Sequence, residues 1–182
     1  VYKQTLKKYL PVQSLQSIVI DKLPLNILHV PLIHQMFPDA KFVLALRHPL
    51  DAALSCWMQN FAMNDAMANL VDLGRIVRMY CVAMETFKIC RTVYQLNVHA
   101  VRYESLLEDF QGESNSLLAF LGIDWEPQME NYTATALNRG RINTPSYSQV
   151  VQPIYQDAKY RWLNYEDKLV AHLDMMGPWI EE

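Results

Sequence analysis

The sequence predicts an α/β fold, a parallel β-sheet flanked by helices, in a single domain spanning residues 1–182. Three observations predict it. Short apolar or β-branched runs recur at residues 17–20 (SIVI), 41–46 (KFVLAL) and 97–103 (NVHAVRY). Stretches with apolar residues at helical spacing separate them. Strands that alternate with helices build a parallel sheet, because each return path crosses a face of the sheet.

Each element follows in order. Residues 17–20 read as a first strand. Residues 25–36 alternate apolar and polar at helical spacing. The turn pair Pro38-Asp39 introduces residues 41–46, a run apolar enough to be a strand buried on both faces. Leu50, Ala53, Leu54, Trp57, Met58 and Phe61 mark one face of the next helix. A long helix is predicted over 68–95, with Leu70, Leu73, Val77, Tyr80, Met84 and Phe87 as its inward stripe. Residues 97–103 form a third strand. Helices follow near 104–110, 113–121 and 126–138, and residues 139–153 are a polar loop. A last helix starts near Ile154, with Ala158, Trp162, Tyr165, Leu169 and Leu173 on one side.

Composition excludes several function classes. Hydrophobic residues make up 51% and charged residues 19%, which is globular and not disordered. The net charge is −3, with no cluster of Lys and Arg to hold a nucleic-acid backbone. No apolar run is long enough to span a bilayer, and no signal peptide is apparent. Cys81 and Cys90 lie on one predicted helix, on opposite faces and about 13 Å apart along its axis, too far for a disulfide. With Cys56 they suggest a reducing compartment, so the chain is expected to be cytoplasmic. No Cys/His pair has zinc spacing, and no metal is expected.

Ligands of open parallel sheets bind at the carboxyl ends of the strands. There the sequence places Asp21-Lys22-Leu23-Pro24, then Arg47-His48-Pro49, then Tyr103-Glu104. Arg47 leaves its strand where a helix begins, and Ser55 follows eight residues later. On a helical wheel Ser55 falls about 130° from the apolar stripe, beside Asp51 and Gln59. An Arg fork, a helix start and a hydroxyl suit a phosphate. A surface ion pair between Arg47 and Asp51 is the other reading of the same residues.

The stretch 37–55 (FPDAKFVLALRHPLDAALS) resembles the 3′-phosphate-binding segment of sulfotransferases that use 3′-phosphoadenosine 5′-phosphosulfate (PAPS). DKLP at 21–24, VRYESL at 101–106, TPSYSQVVQPIY at 144–155 and Arg161-Trp162 extend the resemblance over about residues 18–175. This set is similar to the tyrosylprotein-sulfotransferase-like branch, including bacterial proteins with tetratricopeptide repeats ahead of the sulfotransferase domain. The resemblance implies a sulfotransferase fold of the P-loop-NTPase-like kind, with PAPS as co-substrate and a hydroxyl or amine acceptor. It implies that Arg47 and Ser55 bind the 3′-phosphate and that Tyr103 stacks on the adenine. Lys22 would stabilise the transferring sulfuryl group, and Ser146 and Arg161 would assist at the 5′-phosphosulfate. Arg161 stands where the branch has Lys, and Gln59 where its eukaryotic members have another phosphate-binding Arg. A solvated Lys22 and a core Tyr103 are the plainer alternatives. Arg139 and Arg141 are read as loop charge.

The family's fold opens with a strand, a glycine-rich phosphate loop and a helix. None of the glycines here, Gly74, Gly112, Gly122, Gly140 and Gly177, sits in such a loop. The expectation is therefore a partial domain lacking that first unit. Such a chain should bind adenosine 3′,5′-bisphosphate weakly or not at all and should not transfer sulfate. The resemblance places the loop and the general base upstream in a parent polypeptide, where the bacterial members of the branch carry tetratricopeptide repeats. The alternative is a non-catalytic nucleotide-binding or regulatory module of the same fold.

Overall fold

Two parallel strands organise the chain in the computed structural model, which describes residues 4, 18–59, 61, 64, 65, 67–134, 154 and 156–180. β1 (Phe42–Leu46) pairs with β2 (Val98–Arg102), with Phe42 opposite Val98 and Leu46 opposite Arg102. The two strands form the whole sheet among the described residues. β1 is not buried on both faces as its apolar run suggests. Phe42 and Leu44 turn toward packed helices, whereas Val43 is 45% exposed.

The first predicted strand is absent among the described residues. Residues 18–23 have no regular structure, and Ile18, Val19 and Ile20 are exposed. β-branched side chains suit a pleated, half-buried surface, and a strand forms only where a ladder partner is at hand. No described segment hydrogen-bonds to these residues as a strand.

The predicted helix at 25–36 is divided. A 3₁₀ stretch, Pro24–His29, runs into α1 (Val30–Met36). Pro31 explains the break: it has no N–H for an α-helical bond back to residue 27, and it is tolerated in the first turn of a new helix. Pro49 likewise opens α2 (Pro49–Trp57). α3 (Leu73–Tyr94) is capped by Asp72, whose carboxylate accepts the Arg75 N–H at 2.9 Å, and it ends at Gln95 in the left-handed region. α4 (Tyr103–Glu108) and α5 (Phe110–Leu121) share the joint at Asp109, which caps α5 through the Gly112 N–H. Lys41 closes the other end of α5, donating to the carbonyls of Phe120 and Leu121 at 2.7 and 3.1 Å. A cation among the free carbonyls of a helix end is favourably placed.

The predicted helix at 126–138 begins as a 3₁₀ stretch, Pro127–Asn131, continues helically through residue 134, and beyond that lies outside the described residues. The last predicted helix is a succession of single turns: Gln156–Ala158, Arg161–Tyr165, Glu166–Leu169, Val170–His172, Leu173–Met176 and Gly177–Trp179. Tyr160, with φ of 54°, interrupts it. The inward stripe survives the interruption. Ala158 and Leu169 are buried, and Trp162, Tyr165 and Leu173 pack against the core.

That core has two centres. Leu50, Ala53 and Leu54 of α2 meet Ile76 and Val77 of α3, and Leu169 and Met176 from the final turns. Val30, Phe87 and Cys90 meet the inner face of the sheet at Phe42, Leu44 and Val98. α3 spans both centres. Cys81 packs at the first and Cys90 at the second, and all three cysteines are free.

Candidate functional site

The strand register builds the site. Leu46 faces Arg102, so the residues that leave the two strands come together. The guanidinium of Arg47 lies over the ring of Tyr103, 5.4 Å from its centroid. One residue further, the backbone N–H of His48 donates to Glu104 Oε1 at 2.8 Å. Glu104 is 6% exposed, so its carboxylate fixes the loop between β1 and α2 from inside.

The final turns close over this edge. Arg47 Nη2 donates to the carbonyl of Ala158. The Trp162 N–H donates to Asp51 Oδ1 at 2.8 Å, and the Trp162 ring stacks on His48 with 5.2 Å between centroids and 11° between planes. Tyr160 meets the same imidazole edge-on at 5.7 Å. The Arg47–Asp51 pairing exists, at 4.0 Å, but not on the surface: the Asp51 side chain is fully buried. The helical wheel put Asp51 on the polar side of α2. It could not show that the final turns cover that side. Trp57 and Met58, assigned to the apolar stripe, are instead exposed.

Several polar atoms around this point are buried without a hydrogen-bond partner: Arg47 Nε, His48 Nδ1, Asp51 Oδ2, Glu104 Oε2 and Trp162 Nε1. Buried donors and acceptors are normally satisfied, so such a concentration sets the strand ends apart from the rest of the interior. Burial pushes the His48 imidazole below its ordinary value. Asp51 and Glu104 oppose that shift, and Arg102 and Arg47 add to it. Burial raises the Cys56 thiol, against the nearby charge of Arg47.

A sequence model of the sulfotransferase family matches residues 1–127. The chain belongs to the sulfotransferase family. It is 30% identical over 159 residues to an uncharacterized protein of Aquifex aeolicus (strain VF5), covering 87% of this chain and 20% of that protein. It is 22% identical over 151 residues to protein-tyrosine sulfotransferase A of Caenorhabditis elegans, covering 80% of this chain and 39% of that one. The chain thus spans well under half the length of these relatives.

The strand ends of this sulfotransferase-family chain bring two of the predicted site residues together. Arg47 and Tyr103 are in contact. Ser55 is half-buried on α2, one helical turn beyond Asp51. Arg161 is exposed and opens the turn Arg161–Tyr165, three residues after the Ala158 carbonyl that holds Arg47. Lys22 is exposed and lines a groove of about 1170 Å³ together with Val19, Ile27, Phe42 and Leu44. Neither Arg47 nor Arg161 lines that groove. Ser146, Arg139 and Arg141 lie outside the described residues.

Sequence reasoning missed His48, Asp51, Glu104 and Trp162 as members of the site. Glu104 carried a usable signal, since it directly follows Tyr103 at a strand end. Asp51 and Trp162 are far apart in sequence, and no local pattern joins them. Among the described residues no group of three or more His, Cys, Asp or Glu is placed to hold a metal ion. No helix among them is long and apolar enough to cross a membrane.

Proposed function

We propose that this chain forms the 3′-phosphoadenosine side of a sulfotransferase that moves a sulfuryl group from PAPS to a hydroxyl or amine acceptor. One observation carries the reading. Arg47 is held at the carboxyl end of β1 by the Ala158 carbonyl, the Tyr103 ring and the Asp51 charge, and its side chain stays 24% exposed. An anchored guanidinium that solvent still reaches is what a phosphate oxygen requires.

The residues present fit the co-substrate. Arg47 and Ser55, on the first turns after β1, would take the 3′-phosphate. Tyr103 offers the base a ring whose one face already lies against Arg47. Base stacking on an aromatic side chain is worth about 1–3 kcal/mol. Lys22, Ser146 and Arg161 would serve the 5′ side. PAPS, when bound, supplies the sulfuryl group and a bisphosphate that leaves with added negative charge. A fixed cation near the leaving oxygen stabilises that charge as it develops. Arg161 brings a planar fork where a lysine would bring a point charge, so it suits two oxygens at once.

Ligand-observed NMR with adenosine 3′,5′-bisphosphate tests the reading. Binding is expected to be weak, because few contacts offset the roughly 4–15 kcal/mol of lost freedom on association. It should vanish in Arg47→Ala and persist in Lys22→Ala. Binding that ignores Arg47 would overturn the assignment. Binding by the intact parent polypeptide without transfer of radiolabelled sulfate would favour a non-catalytic nucleotide-binding module.

A further inference from the structure

A buried carboxylate calls for an explanation, because an unpaired charge away from water is costly. Asp51 is 1% exposed. Oδ1 accepts the Trp162 N–H at 2.8 Å. Oδ2 has no hydrogen-bond partner and stands 4.0 Å from Arg47 Nη2, close enough for attraction and too far for a hydrogen bond. The same Nη2 reaches the Ala158 carbonyl. Asp51, Arg47 and the stretch 158–162 therefore close a ring of contacts. Inside that ring Tyr160 is held at φ of 54°, where a non-glycine residue stays only under constraint. Trp162 is further pinned by stacking on His48. Arg161 precedes Trp162 and projects to solvent beside the ring.

We infer that Asp51 is a positioning residue for the donor site: it docks the 158–162 turn onto α2 and orients Arg47, and so brings Arg161 to the same end of the sheet. The inference rests on the reading of Arg47 as a phosphate ligand. A free arginine loses several rotations when it binds, and prior restraint removes that cost from the binding step. The geometry is suited to the task. A carboxylate at hydrogen-bonding distance would compete with the phosphate for the same N–H groups. At 4.0 Å it holds the guanidinium by charge and leaves its donors available.

Two experiments decide it. Hydrogen exchange on residues 156–165, without ligand, compares Asp51→Ala with Asp51→Asn. Asparagine keeps an oxygen for the Trp162 N–H, so it should retain protection. Alanine should raise exchange about tenfold, as expected when a local opening becomes easier by that factor. Unchanged exchange in Asp51→Ala would show that Asp51 does not dock the turn. The second experiment is a double-mutant cycle on adenosine 3′,5′-bisphosphate affinity. Asp51→Asn should weaken binding about tenfold beside Arg47 and less than about twofold beside Arg47→Lys, since neighbours that act through one another are not additive. Equal losses in both backgrounds would reduce Asp51 to a structural residue. If the wild-type chain shows no binding at all, the donor-site reading falls, and hydrogen exchange alone decides the docking role.

Discussion

The two ends of the proposed donor site are built in opposite ways. Around Arg47, contacts tie several elements together: α4 through Tyr103 and Glu104, the final turns through Ala158 and Trp162, and α2 through Asp51. Around Lys22, residues 18–23 have no regular structure and their apolar side chains face solvent. The first arrangement fixes a cation by packing. The second leaves a cation on a stretch that few described contacts hold. A phosphate site can be assembled by one parallel register, whereas a second cation on an irregular stretch needs other contacts to place it.

The largest expected effect tests that contrast directly. Leu50 is fully buried in the core at the start of α2, and Leu50→Ala should cost about 2–5 kcal/mol in a urea unfolding experiment. Ile20 is 75% exposed, and Ile20→Ala should stay within about 0.5 kcal/mol. A large loss at Ile20 would mean that residues 18–20 are packed after all.

Glu104→Ala removes the acceptor for the His48 N–H and should cost about 1–3 kcal/mol, the usual penalty for stranding a buried donor. Its folded-state signature would be faster exchange of the His48 amide, and an unchanged amide would place the restraint elsewhere. Next comes Gly112→Ala. A Cβ built there would lie 2.0 Å from Asp109 Oδ2, so the cap of α5 must move aside. Loss of an N-cap costs about 0.5–2 kcal/mol. An Asp109→Ala, Gly112→Ala double variant should lose little more than Gly112→Ala alone, since both remove one bond.

The smallest effect is a pH dependence. His48 is depressed below its ordinary value of 6.5, chiefly by burial. Its contribution to stability is therefore complete above about pH 6.5 and is lost as the pH falls toward the folded-state value, because the unfolded chain takes up the proton first. Thermal midpoints should fall on acidification below pH 6.5 more steeply in the wild type than in His48→Gln. The carboxylates of Asp51 and Glu104 and the cations of Arg47 and Arg102 face the same ring and are present in both proteins. Parallel curves would show that His48 carries no such dependence.

What the sequence revealed follows from the range of the forces involved. The 41–46 and 97–103 runs, the long helix and the inward stripe of residues 158–173 are local patterns, and all appear in the fold. Arg47 and Tyr103 were legible because each ends a strand, and a parallel sheet brings strand ends together. The failures are non-local. SIVI at 17–20 has a strand's composition, but composition cannot supply a ladder partner. Asp51 sits on the polar side of its own helix and becomes the most deeply buried charge near the site only because residues 158–162 cross it. The final segment has helical periodicity throughout, yet Tyr160 breaks it where the chain must reach Asp51. Neither the wheel of one helix nor the spacing of one motif contains that information.

One consequence of the parallel register concerns tolerance to change. Arg47 meets Tyr103, and His48 meets Glu104, because Leu46 sits across from Arg102. The ladder, not the chain between the strands, decides who faces whom. Residues may therefore be added or removed in the connection before α3 without moving any donor-site atom, provided the pairing holds. A slip of one residue in the pairing is another matter. It would bring the acid of Glu104 to the place of the Tyr103 ring, against the guanidinium, where it would compete with an incoming phosphate for the same N–H groups. The molecule is thus permissive in length and strict in phase.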